Sequence, residues 1–265
     1  MTKRLEIQFR RHPHSYKSPE GKKFDGPSLQ GLDEVRKINS NIRSHLIDGG
    51  NEYWLCRFYA SPTYRTSITA ELMRENVVGL GRSSIDTYNS VTAQKEYRWF
   101  SDELKAKHEL CFAVGNVCIG TPEVIIAPAI RPTTRSPEYE KAMKAACPSG
   151  KESDLVAYSL NPDNLTAGTE SPAELGQRNL DHILGLRSHF EQIADKKTGY
   201  IENITHEPNL TAVMMRVLNM ERYDAAVFQG AANTTETIAV TMEQRPSGIV
   251  AVRMQYRNLE ASLTL

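Results

Sequence analysis

The sequence has no apolar run approaching the roughly 18–20 residues that a membrane-spanning helix needs, so a membrane protein is not expected. Cysteine is scarce, with only Cys56, Cys111, Cys118 and Cys147. Those spacings contain no CxxC pair and no His/Cys cluster, which argues against a zinc module or a disulfide scaffold and for reduced thiols. Charge of one sign is not in excess, since 32 Lys and Arg meet 32 Asp and Glu. A broad surface for nucleic acid or anionic lipid needs such an excess, so neither partner is expected, although a small basic pocket fits within the balance. Residues 1–7 run straight into strand-like alternation where an export signal would carry an apolar core, and a cytoplasmic location is the expectation. No internal repeat or low-complexity tract is present.

What is there is a set of short strand patterns alternating with helical ones. Residues 5–9 alternate and read as a strand, and 54–60 form a second. Between them Ser28 caps a helix whose apolar residues Leu29, Leu32, Val35, Ile38 and Ile42 recur at helical spacing. Ser61-Pro62 breaks the second strand, and 66–75 is helical. Further on, Ser171-Pro172-Ala173-Glu174 is a strong helix start, and its apolar stripe runs to about residue 194. A strand is expected at 200–205, a helix at 210–220, and strands at 237–242 and 248–256. The alternation predicts one α/β domain over 1–265, a three-layer α/β/α sandwich with a mixed, mostly parallel sheet. The pattern loosens between about 79 and 165, where a helix at 93–110 is followed by two apolar pieces and by breaks at 131–137 and 147–150. So much irregular chain between regular blocks predicts an inserted lid over one end of the core.

Three strand ends carry cationic or titratable residues: Arg11-His12, then Arg65, then His206-Glu207. In an open α/β sheet such ends converge on one crevice. Two arginines and two histidines gathered there describe a site for a dianionic group. The arginines supply fork-shaped donors to phosphate oxygens. Neighbouring positive charge keeps an imidazole neutral and able to attack phosphorus, and a nearby carboxylic acid can protonate the departing oxygen.

Four blocks in order resemble the histidine phosphatase superfamily, the two-histidine group that includes phosphoglycerate mutases and histidine acid phosphatases. Phe9-Arg10-Arg11-His12 is similar to the family's strand ending in Arg-His. The stretch 61–71, SPTYRTSITAE, is similar to its Ser-Pro-x-x-Arg block almost position for position. Gly168-Thr169-Glu170-Ser171 with Arg178 resembles the segment leading into the long helix, and Thr205-His206-Glu207-Pro208-Asn209-Leu210 the strand end with the second histidine. Asn233-Thr234-Thr235-Glu236-Thr237 resembles the final hairpin. The stretch from about 79 to 162 has no counterpart.

The resemblance implies a phosphoglycerate mutase-like fold and hydrolysis of a phosphomonoester without metal or other cofactor. His12 would be the nucleophile that forms a phosphohistidine, Arg11 and Arg65 would hold phosphoryl oxygens, and His206 would donate to the same group. Glu207 fills the slot in which one branch of the family places its general acid. The other branch draws its acid from the segment after the Arg65 block, where Asp86 and Glu96 stand. Two departures mark this chain. Pro13 replaces the family's usual Gly and removes one backbone N–H, and Ser15 stands near the place of an absent second arginine, with His14 and Ser15 as substitute donors. Arg10 is expected on the opposite face of its strand, Glu71 in support of the fold, and His45, His108, His182 and His189 in structural or solvated roles. The substrate class stays open between a small phosphomonoester and a phosphoprotein. Such folds often pair, which leaves a homodimer open. Two rival functions remain: a non-catalytic binder of a phosphorylated ligand, suggested by Pro13, and a mutase using the same pocket.

Overall fold

The computed structural model describes residues 2–15, 27–48, 53–78, 112–114, 117–119 and 124–265. The helix expected at 93–110, and with it Asp86 and Glu96, lies outside them. Seven strands form one sheet. In chain order they are β1 (Lys3–Arg11), β2 (Tyr53–Ala60), β5 (Val124–Ile126), β6 (Thr198–Thr205), β7 (Thr237–Gln244), β8 (Val250–Tyr256) and β9 (Leu259–Thr264), arranged in space as β5-β2-β6-β1-β7-β8-β9. The first four of that spatial order are parallel, and β7, β8 and β9 continue it antiparallel. Among the described residues two further strands, β3 (Phe112–Val114) and β4 (Val117–Ile119), pair with each other. The fold is therefore the expected α/β sandwich with a mixed sheet whose core is parallel.

Alternation along the central strands sends side chains to two different cores. Leu5, Ile7 and Phe9 of β1 and Ile201 of β6 join a core closed by α5 (Pro172–Gly185) and α6 (Glu207–Val217). Tyr200 and Ile204 of β6, with Cys56, Phe58 and Ala60 of β2, face α1 (Leu29–Asp48) and α2 (Tyr64–Val78). Ser28 caps α1 as expected, its Oγ accepting from Gly31 N–H at 3.1 Å. At α5 the capping box closes in both directions between Ser171 and Glu174, behind Pro172. Helices α5 and α6 meet at Gly176, where a Cβ would fall 2.4 Å from the Ala212 carbonyl oxygen. Only glycine permits that approach.

Several boundaries differ from expectation for identifiable reasons. The α5 helix ends at Gly185, and Leu186–Gln192 continues as a 3₁₀ helix. The apolar spacing at Phe190 and Ile193 suits the tighter winding equally well. Helix α6 begins at Glu207 rather than 210, because Pro208 occupies its first turn, where a missing N–H costs nothing. Within 131–165 the structure adds α3 (Pro137–Ala146) and α4 (Glu152–Ser159). Ser136 caps α3 ahead of Pro137, the same start signal as at Ser171. Strand β9 was also not expected. It is short, half exposed and lies at the edge of the sheet.

Candidate active site

The ladder of the parallel strands carries on past their ends. Ser61 N–H donates to the Ile204 carbonyl and His12 N–H to the Thr205 carbonyl, both at 2.9 Å. This places Ser61, His206 and His12 side by side at the carboxyl edge of the sheet. The rings of His12 and His206 meet edge to face, with centroids 5.3 Å apart. Both residues are buried, at 7% and 4% exposure.

His12 Nδ1 lies 2.7 Å from the Pro13 carbonyl oxygen. A carbonyl has no proton to give, so Nδ1 must carry the hydrogen and Nε2 keeps its lone pair. Burial, then the charge of Arg65, then that of Arg11 pull the imidazole down to about 3, against the hydrogen bond to Pro13. The ring is therefore neutral at any ordinary pH. The departure at position 13 acquires a physical meaning here: the group this site takes from residue 13 is its carbonyl, which proline keeps. Two polar atoms of His14 are engaged on the α1 side. Its N–H goes to Glu34 at 2.9 Å and its Nδ1 faces Ser28 Oγ at 2.7 Å.

His206 stands immediately before α6, and its Nε2 lies 3.1 Å from the buried Ser61 Oγ and 3.4 Å from Thr63 Oγ1. The Ser-Pro-Thr turn thus orients the second histidine as well as launching α2, the helix that carries Arg65. Burial, with His12, Arg65, Arg11 and Arg135 around it, holds His206 well below the usual histidine range. Glu71, also on α2, pairs with the buried Arg74 at 2.9 Å and so belongs to the helix.

Glu207 is 2% exposed. Its Oε1 accepts from Thr211 Oγ1 at 2.9 Å and from Ala232 N–H at 3.2 Å, while the buried Oε2 has no hydrogen-bond partner among the described residues. Burial dominates these bonds and raises the carboxyl to about 7. It is the environment of a carboxylic acid that keeps its proton near neutrality.

Arg11 enters the same region from β1. Its Nη1 donates to the Ala232 carbonyl and its Nη2 to Glu152 at the start of α4, while its buried Nε has no hydrogen-bond partner among the described residues. Arg65 lines a cleft of about 280 Å³ together with His206, Asn209, Thr133 and Arg135. Arg135 was missed by sequence reasoning. Its Nη2 donates to Ser159 Oγ at 3.2 Å, and its buried Nε lacks a hydrogen-bond partner among the described residues. The stretch that carries it is pinned by Arg178, whose guanidinium bonds the carbonyls of Ala129 and Arg131 and pairs with Glu170 at 2.6 Å. The Glu170 and Arg178 of the third block therefore act as a clamp on one wall of the cleft. The signal that could have found Arg135 was the helix start at Ser136-Pro137, which places an arginine beside a fixed cap.

The structure thus brings together His12, His206, Arg65, Arg11 and Glu207, while Asp86 and Glu96 fall outside the described residues. Among those residues no group of three or more His, Cys, Asp or Glu side chains is placed to hold a metal ion, and no helix is long and apolar enough to cross a membrane. No protein-family model and no curated protein matches this sequence. Solved structures do. A protein titled mycobacterial hydrolase 1 superposes with a TM-score of 0.54 at 11% identity, over 98% of this chain and 100% of that one. Mycobacterial hydrolase 2 gives 0.51 at 11% identity, over 99% and 93%. A mycobacterial glucosyl-3-phosphoglycerate phosphatase gives 0.49 at 12% identity, over 91% of each chain. At such identities the likeness is one of fold alone, the α/β sandwich with a mixed sheet that this chain shares with the two hydrolases.

Proposed function

We propose that this chain hydrolyses a phosphomonoester through a phosphohistidine on His12. The observation that carries the reading is the 2.7 Å contact of His12 Nδ1 with the Pro13 carbonyl oxygen, which requires the proton on Nδ1 and leaves Nε2 a bare nucleophile among guanidinium groups. A fold alone assigns no chemistry, but this constellation suits phosphoryl transfer. Nε2 attacks phosphorus in line and the P–O bond to the alcohol breaks. The departing oxygen takes its proton from the Glu207 carboxylic acid. Water then attacks phosphorus as the resulting carboxylate removes its proton, the P–N bond breaks, and His12 and inorganic phosphate are released. Arg65, Arg11 and His206 face the charge that spreads over the equatorial oxygens. For Arg11 to do so, Glu152 must give up its contact. Glu152 is half exposed, so water can take it at little cost.

Three assays decide this. Wild type is expected to release phosphate from p-nitrophenyl phosphate in EDTA and, quenched in alkali with a ³²P-labelled ester, to retain label on histidine. Glu207→Gln is expected to lose about 10²- to 10⁴-fold on an alkyl phosphate, the usual worth of general acid–base catalysis. It should lose far less on p-nitrophenyl phosphate, whose phenolate leaves unaided. A wild type inert toward a broad panel of phosphomonoesters would sink hydrolysis and leave a binder of phosphorylated ligands.

A further inference from the structure

The stretch 228–236 crosses the carboxyl end of the sheet between α7 (Ala225–Phe228) and β7. Its Ala232 touches two functional side chains at once. The N–H donates to Glu207 Oε1 at 3.2 Å, and the carbonyl accepts from Arg11 Nη1. Four residues on, the Glu236 carbonyl accepts the main-chain N–H of Arg11 at 2.9 Å. Left-handed backbone at Gln229 and Gly230, with φ of 54° and 87°, turns the carbonyls of this stretch toward one point. At that point lies Arg257, in the turn between β8 and β9. Its Nη1 donates to the Phe228 carbonyl and to the Gly230 carbonyl at 3.2 Å, and its Nη2 to the Ala231 carbonyl at 3.0 Å. Nε and Nη2 also form a fork on the Glu236 carboxylate, the latter at 2.7 Å, and the same carboxylate accepts the Asn233 N–H at 2.7 Å. Five N–H donors in a rigid plane are what such a set of acceptors requires, and an ammonium cannot reproduce it.

We propose that Arg257 is a positioning residue that sets the Ala232 peptide, and through it both the acid Glu207 and the phosphate-binding Arg11. This rests on the hydrolytic reading above. Arg257 reaches neither His12, whose proton is fixed by Pro13, nor His206, whose ring is set by Ser61. Its loss should therefore damage proton delivery and anion binding while leaving the nucleophile competent. The charged and titratable groups around the Glu207 carboxyl are Arg11 from β1, Glu152 from α4, Tyr256 from β8, and Tyr223 from the loop before α7. The donors that the carboxyl has among the described residues are Thr211 Oγ1 and the Ala232 N–H.

The test is Arg257→Met, with Arg257→Lys as the variant that keeps the charge where methionine unfolds the chain. Each is compared with wild type on p-nitrophenyl phosphate and on glycerol 2-phosphate, with kcat and KM separated. We expect kcat on the alkyl ester to fall at least tenfold more than on the aryl ester, and KM to rise several-fold on both. The alkaline limb of kcat/KM should move up by half a unit or more, because Glu207 has lost a donor to its charged form. Guanidinium ion at tens of millimolar should recover part of the alkyl rate in Arg257→Ala. Equal losses on both esters, or a limb that stays or moves down, would overturn the proposal and leave Arg257 with a structural part only. If wild type hydrolyses neither ester, the fault lies with the hydrolytic reading. A ¹³C titration of the Glu207 carboxyl, assigned by its absence in Glu207→Gln, then decides the positioning role alone. A midpoint raised in Arg257→Met supports it, and an unchanged one overturns it.

Discussion

Arg10 and Arg11 are consecutive residues of β1, and their side chains lie on opposite faces of the sheet under opposite conditions. Arg10 points toward the α1 side. It forms a fork on the fully buried Glu202, at 2.6 Å and 3.4 Å, and donates to the Thr235 carbonyl at 3.0 Å. Tyr200 completes the set with a hydrogen bond to Glu202. Arg11 points to the α6 side, keeps a buried Nε without a hydrogen-bond partner among the described residues, and leans on Glu152, whose side chain is 52% exposed. The difference separates a locked cation from an exchangeable one. A buried charge with a buried, complete partner is locked, because releasing either member strands the other. A buried charge whose counter-ion stands in water can exchange that partner for a ligand.

The widest separation between the two faces is expected from His12→Ala, which should cost kcat on the order of 10³-fold or more and leave Tm within a few degrees. Arg11→Met should lower kcat/KM by about 10²- to 10³-fold, the scale of a lost donor to transition-state charge, with a small change in stability. Arg10→Met is the mirror image. It should cost about 3–5 kcal/mol of stability, because Glu202 is left charged and unpaired, while kcat/KM in the folded fraction stays within a few-fold. Urea melts beside initial rates for the two arginine variants check this, and two variants with the same profile would break the comparison.

A subtler difference concerns pH. The Glu207 carboxyl sits at about 7 in the fold against an ordinary 4.5, so the folded chain holds this proton more tightly than the unfolded one. The stability that comes from it is complete below pH 4.5 and is lost as pH rises through about 7. Glu207→Gln should therefore be more stable than wild type above pH 8, by up to roughly 3 kcal/mol, although it is less active. Equal melts at pH 8.5 would sink that expectation. His12 works in the other direction: its neutral form is preferred, and stability is lost as pH falls from 6.5 toward about 3. The smallest effect belongs to Glu152→Gln. It frees Arg11 from a half-exposed partner worth about 0.2–1 kcal/mol, so KM for a phosphomonoester should fall by no more than about fivefold. A rise in KM would mean that Glu152 holds Arg11 in place rather than competing with substrate.

The central strands and α1, α2 and α5 were legible because their apolar periods are unambiguous and their caps are local. Arg11, His12, Arg65, His206 and Glu207 were legible as one group because each follows a parallel strand, and parallel strand ends share an edge. What stayed hidden depends on contacts far apart in sequence. Nothing near Arg257 announces that its donors meet carbonyls 26–29 residues earlier. Nothing near Glu152 points to Arg11, 141 positions away. Pro13 read as a loss because proline's missing N–H is visible in the sequence, whereas the use of its carbonyl appears only once the His12 ring has been placed.

The contact at Gly176 has a mechanical consequence. Side chains that pack together can change rotamer and let two helices slide, but a glycine set against the Ala212 carbonyl leaves no side chain to yield. Helix α6 is in effect bolted to α5, and the His206 end of the cleft is its stiff jaw. On the proposed hydrolysis, the opening that admits an ester is then left to the opposite wall, where Arg135 is held by Ser159 Oγ and by one main-chain bond from Glu170 N–H to the Thr134 carbonyl beside it.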